Sequence, residues 1–350
     1  MKKIAIVAHG LSGGGAERVA SIIANYFVKN SFDVLYVAAY NDKKEYFIDK
    51  KVQIHYVRST SKNKLVRLIE RNIDIYKAIK KFNAEIVFSF ITNELLLTEL
   101  NGIPIVFSLR NDPQHIDNSP IASLLRKFAY FHAKNIVFQT QGAANFFSEK
   151  IQEKGVIIAN PIDVNILPYW HKHEHNNVFI SACRLTEQKN LPMLFEAFAD
   201  LHKEYPEYIL EIYGEGIIKD ELLVLIEKLN AKEFIILKGR TNKIHEIMAT
   251  SFAYVMSSDY EGLSNAMLEA LCIGIPSICT DCPPGGAKAF IENEINGILT
   301  PVGDKHSMYE KMKFIIENKS EATKYSTNSI QIRNDLNVDV ICEKWAELIK

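Results

Sequence analysis

The second half of the chain contains two cations at a spacing that suits phosphate chemistry. Arg184 and Lys189 follow the apolar run Val178–Ala182, which is typical of a buried strand. At the carboxyl end of a strand this pair can clamp a diphosphate, because arginine offers a fork of donors and lysine a point charge. Taken alone, two such residues fit a solvated surface better. The hypothesis of a phosphate site therefore depends on what lies nearby.

Two glutamates separated by seven residues, Glu261 and Glu269, follow later in the same half. Ser264 lies between them and is a typical N-cap residue, so we expect a helix to begin there, with first-turn N–H groups that can hold a phosphate. Glu269 falls among the apolar residues of that helix. Burying its carboxylate costs free energy unless a partner such as a ribose diol satisfies it. Either glutamate alone is typical of a helix surface, but the two together indicate a nucleotide site.

A glycine-rich loop, Gly10–Gly15, follows the first predicted strand. Glycines there let backbone N–H groups approach an anion at the start of the next helix. The dinucleotide fingerprint G-x-G-x-x-G requires a third glycine where this chain has Arg18, which argues against a nicotinamide dehydrogenase. A tight turn without a ligand explains the loop equally well.

An α/β fold must position these residues, because short apolar runs alternate with longer helical patterns along the whole chain. The predicted strands are Ile4–Ala8, Val34–Ala38, Gln53–Val57, Ile86–Phe90, Pro104–Phe107, Ile136–Gln139, Val156–Ile158, Val178–Ala182, Tyr208–Tyr213, Phe234–Leu237, Ala253–Met256 and Pro276–Cys279. Helices are predicted over Ala16–Lys29, Leu65–Phe82, Ile121–Ala133 and Val338–Lys350. The alternation predicts two Rossmann-like, doubly wound parallel-sheet domains facing a cleft, with ligands beyond the carboxyl ends of the strands.

The chain of 350 residues is long enough for two such domains. Asn160-Pro161 interrupts the alternation, and residues 168–177 are polar and rich in histidine, which is typical of a linker. We therefore predict domains over residues 1–165 and 166–335, followed by a closing segment over residues 336–350.

Charge is distributed unevenly between the two halves. Residues 1–165 carry 22 Lys and Arg against 15 Asp and Glu, whereas the whole chain carries 41 against 42. A basic first half indicates an anionic partner such as phosphate or a membrane surface. The five cysteines have no zinc-site spacing and are expected to be reduced thiols. No apolar run reaches the length of a signal h-region or a membrane span, so we expect a cytoplasmic protein.

Taken in order, these motifs resemble the GT4 retaining glycosyltransferases of the GT-B fold. The resemblance covers nearly the whole chain. It rests on the Gly13–Gly15 loop, Asn160-Pro161, Arg184 with Lys189, Gly214-Glu215-Gly216, Glu261 with Glu269, Asn296-Gly297-Ile298-Leu299 and Gly303-Asp304.

The resemblance implies a role for each of these positions. Arg184 and Lys189 would bind the donor diphosphate, Glu269 the ribose hydroxyls and Glu261 the hydroxyls of the transferred sugar. The remaining donor contacts implied are Gly14, Gly15, Gly214, Arg240, Leu263, Ser264 and Asn265. It also implies retention of anomeric configuration, no cofactor and no metal, and a C-terminal helix that packs back on the first domain.

Two departures from the family pattern concern other parts of the site. Where many members have a histidine in a loop of the first domain, this chain reads Ser108-Leu109-Arg110-Asn111-Asp112-Pro113, which resembles a subgroup that builds bacterial surface polysaccharides. Arg110 and Asn111 are therefore predicted on the acceptor side. The predicted catalytic residues are Glu261, Arg184, Lys189 and Arg110, with His115 as a displaced alternative to Arg110. After the Gly285-Gly286 turn this chain has Ala289 where members have glutamate.

The segment Lys62–Lys81 combines seven basic residues with an apolar stripe. This pattern suits a helix on an anionic membrane or near a lipid pyrophosphate, and it equally suits an ordinary helix packed on a sheet. We keep both interpretations, which are compatible, and with them a peripheral location on the inner face of the cytoplasmic membrane.

The sequence therefore predicts a retaining, metal-independent glycosyltransferase that moves a hexose or N-acetylhexosamine. The donor is expected to be a UDP-sugar and the acceptor a glycan or lipid-linked glycan of capsule or lipopolysaccharide synthesis, with no nucleic-acid partner. The alternatives are a sugar-nucleotide 2-epimerase of the same architecture, which needs further carboxylates and histidines that we cannot place, and a non-catalytic sugar-nucleotide-binding protein.

Overall fold

The structure is a computed structural model that describes residues 2–40, 45–92, 95–116 and 119–350. The chain divides into two compact units, each built on one parallel sheet. The first unit comprises residues 1–161 together with 338–350, and the second comprises residues 162–337. The predicted α/β class with two doubly wound parallel sheets is confirmed.

The first unit has a seven-stranded sheet in the order β3-β2-β1-β4-β5-β6-β7. Its strands are β1 Lys3–Ala8, β2 Asp33–Ala38, β3 Gln53–Tyr56, β4 Ile86–Ser89, β5 Ile105–Ser108, β6 Asn135–Phe138 and β7 Gly155–Ile157. Its helices are α1 Gly15–Lys29, α2 Lys64–Phe82, α3 Leu96–Leu100, α4 Pro120–His132, α5 Gln141–Asn145, α6 Glu149–Gln152 and a C-terminal helix, Val338–Glu347. The central strand β1 is buried from Ile4 to Ala8, as expected for a parallel strand covered on both faces.

The C-terminal helix belongs to the first unit, although it is separated from it in sequence by the whole second unit. It packs against α1, and its Trp345 is fully buried. The indole ring lies 5.6 Å from the ring of Phe88 and 5.9 Å from that of Phe90, measured between centroids. Aromatic rings at these separations contribute stabilisation beyond the area that they bury.

The second unit has a six-stranded sheet in the order β10-β9-β8-β11-β12-β13. Its strands are β8 Val178–Ala182, β9 Ile209–Tyr213, β10 Ile235–Gly239, β11 Ala253–Met256, β12 Ser277–Thr280 and β13 Ile298–Thr300. Its helices are α7 Leu191–Glu204, α8 Lys219–Lys228, α9 Ile244–Thr250, α10 Asn265–Ile273, α11 Lys305–Glu317, α12 Lys319–Ser329 and α13 Arg333–Leu336. The α7 and α11 helices pack against each other over a core that includes Phe198 and Met312.

Two features of the second unit differ from the sequence interpretation. The edge strand β13 was not predicted. The polar segment 168–177, interpreted as a linker, is part of the unit: Trp170 is buried and its indole N–H donates to the backbone oxygen of Ser251 at 2.7 Å. This buried aromatic residue thus helps to hold an otherwise polar segment against the unit.

The strand order of each sheet reverses direction at one point, between β1 and β4 in the first unit and between β8 and β11 in the second. At such a point the loops that follow the two strands diverge and leave a crevice at the carboxyl edge of the sheet, where open α/β sheets bind ligands. The two crevices are therefore where functional side chains are expected.

Candidate functional site

The crevice of the second unit lies between the loop after β8 and the loop after β11. The first loop carries Lys189 and the second carries Glu261, and their side chains form an ion pair across the crevice. Lys189 is only 7% exposed, so the pair is largely shielded from solvent. Two of the charged residues that the sequence predicts for this site, Lys189 and Glu261, thus lie together at the reversal point of the sheet.

Hydrogen bonds hold these two loops in register. Asn190 Nδ2 donates to Asp259 Oδ1 at 2.7 Å, and Gln188 Nε2 donates to the backbone oxygen of Tyr260 at 2.8 Å. Ser257 Oγ donates to the backbone oxygen of Lys189, also at 2.8 Å. The position of the ion pair is therefore set by its scaffold before any ligand arrives, which is the arrangement that electrostatic catalysis requires.

Three glycines allow neighbouring loops to approach the same crevice closely. A Cβ atom on Gly214 would lie 1.8 Å from the backbone oxygen of Cys183, and one on Gly216 would lie 2.1 Å from that of Leu185. On the other side, a Cβ atom on Gly286 would lie 2.1 Å from the backbone oxygen of Gly262. These distances leave no room for a side chain, so the loops after β9 and β12 pack directly on the loops that carry the charges.

Helix α10 begins at the end of the loop that carries Glu261. Ser264 caps it as predicted, its hydroxyl accepting the N–H of Met267 at 3.3 Å, while Leu263 is buried and Asn265 is the first helical residue.

Glu269 is 3% exposed, which confirms that the helix buries this carboxylate. Its Oε2 lies 3.3 Å from Nε2 of His245 on α9. A buried carboxylate is thus oriented by a neighbouring helix.

The two arginines of the predicted donor site are exposed. Arg184 follows β8, and Arg240 follows β10 with its Nε 3.8 Å from Glu215. The structure thus brings Lys189 and Glu261 together and leaves both arginines exposed. An exposed arginine such as Arg184 can approach a phosphate group.

Buried thiols lie beneath the same loops. Burial raises the pKa of Cys183, with Lys189 acting in the opposite direction, and burial raises the pKa of Cys282 to about 12. Both thiols therefore stay protonated at neutral pH and do not supply a thiolate nucleophile. The charged groups of the crevice are therefore its lysine and carboxylate side chains rather than these thiols.

In the first unit, Gly14 and Gly15 lie where α1 begins, and Gly14 is its N-cap. The Glu17 carboxylate folds back over this turn, since a Cβ atom on Gly14 would lie 2.1 Å from Glu17 Oε2. A carboxylate at this end of a helix is favoured by the helix dipole. A phosphate at the predicted position would therefore have to displace Glu17 or share the turn with it.

Arg110 follows β5 and is enclosed by aromatic and amide side chains. Its Nη1 donates to Asn160 Oδ1 at 2.6 Å, and its guanidinium carbon lies 5.2 Å from the Phe90 ring and 5.3 Å from the Trp345 ring. Burial lowers the pKa of Arg110 to about 9, so the group is still protonated at neutral pH.

Asn111 accepts the N–H of Asp112, which in turn contacts His115 at 2.9 Å. Both side chains are thus held in place, Arg110 by Asn160 and two aromatic rings and His115 by Asp112.

The sequence did not indicate His245, which lies in a short helix without any motif. Its partner Glu269 is on a different helix, so no spacing in the sequence connects them. Gln188 and Gly286 lie within recognised motifs, but their contacts are tertiary and were not predicted.

Comparison with known families is consistent with this arrangement. Residues 13–166 match the Glycosyltransferase Family 4 domain, and residues 167–332 match the domain described as Glycosyl transferases group 1. The two matches follow each other along the chain and include both crevices. The chain belongs to this family of glycosyltransferases.

Curated relatives of this glycosyltransferase include bacterial enzymes of glycan synthesis. The amylovoran biosynthesis glycosyltransferase AmsD of Erwinia amylovora is 26% identical, with all of both chains aligned. A Campylobacter jejuni enzyme is 27% identical over 91% of each chain, and its name describes a 4-alpha-N-acetylgalactosaminyltransferase acting on a diphospho-undecaprenol-linked sugar.

Solved structures of glycosyltransferases share the fold. Anabaena HepE, crystallised with UDP and glucose, superposes with a TM-score of 0.86 at 18% identity, covering 99% of each chain. The sucrose-phosphate synthase of Thermosynechococcus elongatus gives a TM-score of 0.85 at 12% identity, covering 99% of this chain and 98% of that one. These likenesses establish the GT-B fold of this family member.

Proposed function

We propose that this glycosyltransferase moves a hexose or N-acetylhexosamine from a UDP-sugar to a lipid-linked glycan, with retention of anomeric configuration and without a metal. The observation that supports this most strongly is the Lys189–Glu261 ion pair at the reversal point of the second sheet. Lysine provides a cation for a diphosphate, and the carboxylate beside it provides acceptors for sugar hydroxyls.

In the reaction, the bond between sugar C1 and the β-phosphate oxygen breaks and a bond between C1 and an acceptor oxygen forms. The acceptor hydroxyl loses its proton in the same reaction, and this proton balances the negative charge that the departing diphosphate gains. Lys189, the exposed Arg184 and the first turn of α10 would stabilise that charge, in the manner of fixed donors aimed at a developing anion. We assign Glu269 to the ribose hydroxyls and Glu261 to those of the sugar.

On the acceptor side we assign Arg110, with Asn111 next to it. The guanidinium keeps its charge although it is buried, and Phe90, Trp345 and Asn160 fix its position. A positioned cation suits an acceptor that carries a diphosphate, as the Campylobacter relative's named substrate does. The alpha linkage in that relative's name agrees with retention from an α-linked nucleotide sugar.

The proposal is tested by offering the enzyme a panel of radiolabelled nucleotide sugars with an extracted polyprenyl-diphosphate-linked acceptor. We expect transfer of label to the acceptor from one UDP-sugar, an α-linked product by NMR, and activity that survives EDTA. Epimerised free nucleotide sugar without transfer, or complete loss of activity in EDTA with recovery on adding a divalent cation, would contradict it.

We further propose that α2 contacts an anionic membrane. The N-terminal half of this helix places Leu65 (62% exposed), Ile69 (58% exposed) and Ile73 on one outward stripe, whereas Ile75 and Ile79 pack inward. The exposed lysines next to the stripe are Lys62, Lys64, Lys77, Lys80 and Lys81. Apolar residues flanked by lysines are the composition of helices that lie in a bilayer interface. In the described part of the chain, no helix is long and apolar enough to cross a bilayer.

Reversing Lys77, Lys80 and Lys81 to glutamate should therefore reduce sedimentation with phosphatidylglycerol vesicles by at least about tenfold, since each basic residue near an anionic surface contributes roughly 1 kcal/mol. A matched control reverses Lys219, Lys228 and Lys319, which are exposed on the second unit. The loss should be greater than in the control and should weaken at high salt. Equal sedimentation of both variants would show that α2 is an ordinary solvated helix.

A further inference from the structure

A histidine that no motif marks lies against the buried carboxylate of the second unit. Nε2 of His245 on α9 is 3.3 Å from Oε2 of Glu269 on α10, and both side chains are largely buried. The two atoms lie within contact distance, although the angle at Nε2 is not that of a hydrogen bond. The two helices pack against each other, so the contact is fixed by the fold and not by a mobile surface side chain.

Physical chemistry gives this contact a consequence for ligand binding. A carboxylate in a site that excludes water loses the solvation that would stabilise its charge and needs hydrogen-bond donors instead. The imidazole of His245 carries such a group at Nε2, 3.3 Å from one of the two oxygens. A side chain held in this way presents its lone pairs in a fixed direction, so an incoming hydroxyl pair meets a prearranged acceptor instead of one that must first be ordered.

We propose that His245 is a positioning residue for donor recognition, which holds the Glu269 carboxylate so that it accepts the ribose hydroxyls of the nucleotide. The inference rests on the proposed function, since it takes the nucleotide of the donor as the ligand. It adds a residue outside the charged loops to the determinants of specificity. It also assigns the discrimination between a ribose and a deoxyribose to the α9–α10 contact.

The test measures the dissociation constants of UDP and dUDP by calorimetry for the wild type and for His245→Leu, which fills a similar space without a donor. The wild type should bind UDP about tenfold or more tightly than dUDP, as expected for a hydrogen bond to a charged group. In His245→Leu this ratio should fall to about twofold, while the affinity for dUDP changes little. Glu269→Gln should lose the same discrimination, and combining the two substitutions should add no further loss.

Two more variants separate positioning from a structural role. His245→Gln retains an N–H donor and should keep most of the discrimination, which also tests the idea if His245→Leu does not fold. Glu246→Ala removes an exposed side chain from the same helix and should leave both affinities unchanged.

A wild-type ratio that persists in His245→Leu, or an equal loss of UDP and dUDP affinity, overturns the inference. A wild type that binds none of UDP, GDP and ADP, and none of their deoxy forms, overturns the proposed function instead.

Discussion

Lys189→Met should lower kcat/KM for sugar transfer by about tenfold to a thousandfold, the range observed when one preorganised charge contact to a developing anion is lost. Lys189 is the buried partner of Glu261, and the ion pair lies where the sheet order reverses. Under the proposed function, the departing diphosphate would lose one of the cations that stabilise it. Arg184→Ala is expected to have an effect in the same direction. Steady-state kinetics with the identified donor measure both.

Removing Lys189 also leaves a shielded carboxylate without its cation, which destabilises the fold. Lys189→Met combined with Glu261→Gln removes that complication, because the amide needs no counter-charge. The double variant should recover thermal stability without recovering activity. Lys219→Met, on an exposed position of α8, serves as the control for loss of a lysine. Kinetics like those of the wild type in Lys189→Met would remove this residue from the donor site.

Gly286→Ala should nearly abolish transfer, although it alters no charged group. The new methyl carbon would lie 2.1 Å from the backbone oxygen of Gly262, next to Glu261, and a backbone atom cannot move aside as a side chain does. The loop that carries Glu261 must therefore shift, and displacements of about 1 Å in a catalytic group can cost about a hundredfold in rate. Turnover of the purified variant, with its circular dichroism spectrum, measures the effect.

Gly303→Ala provides the matched control. Gly303 has φ 71° and open space around its Cα, so alanine there costs backbone strain of about 1 kcal/mol without a clash. It should lower the melting temperature slightly and leave kcat unchanged. If Gly286→Ala also kept its kcat, the loop after β12 would not position the site.

Much of the fold is readable from the sequence because parallel strands buried on both faces leave continuous apolar runs. The run Val178–Ala182 corresponds to β8 residue for residue, and the serine cap of α10 was predicted from one side chain. The failures are of a different kind. Strand β13 is an edge strand that pairs with β12 and was not predicted. The polar segment 168–177 is held by tertiary contacts, such as that of the Trp170 indole with the backbone of Ser251, which no sequence pattern shows.

The same distinction between local patterns and tertiary contacts holds for the candidate site. The sequence identifies Lys189, Glu261 and Glu269 by their spacing. The structure brings Lys189 and Glu261 together. The residues that hold them, such as Asn190 and His245, are defined by distances between segments that are far apart in the chain. Sequence patterns identify groups that perform chemistry, whereas the geometry that orients these groups depends on packing.

The position of the C-terminal helix has a consequence for the order of events during synthesis. A ribosome synthesises residues 338–350 only after the whole of residues 162–337. The nascent first unit therefore lacks Trp345 while the second unit is being synthesised. Until then the Phe88 and Phe90 rings lack their indole neighbour, and Arg110 lacks one of its two aromatic contacts. The second unit, continuous in sequence, can mature co-translationally, whereas the first is completed last. Chaperone dependence during translation should therefore concentrate on the N-terminal half, and the arginine that we assign to the acceptor is among the last groups to reach its final environment.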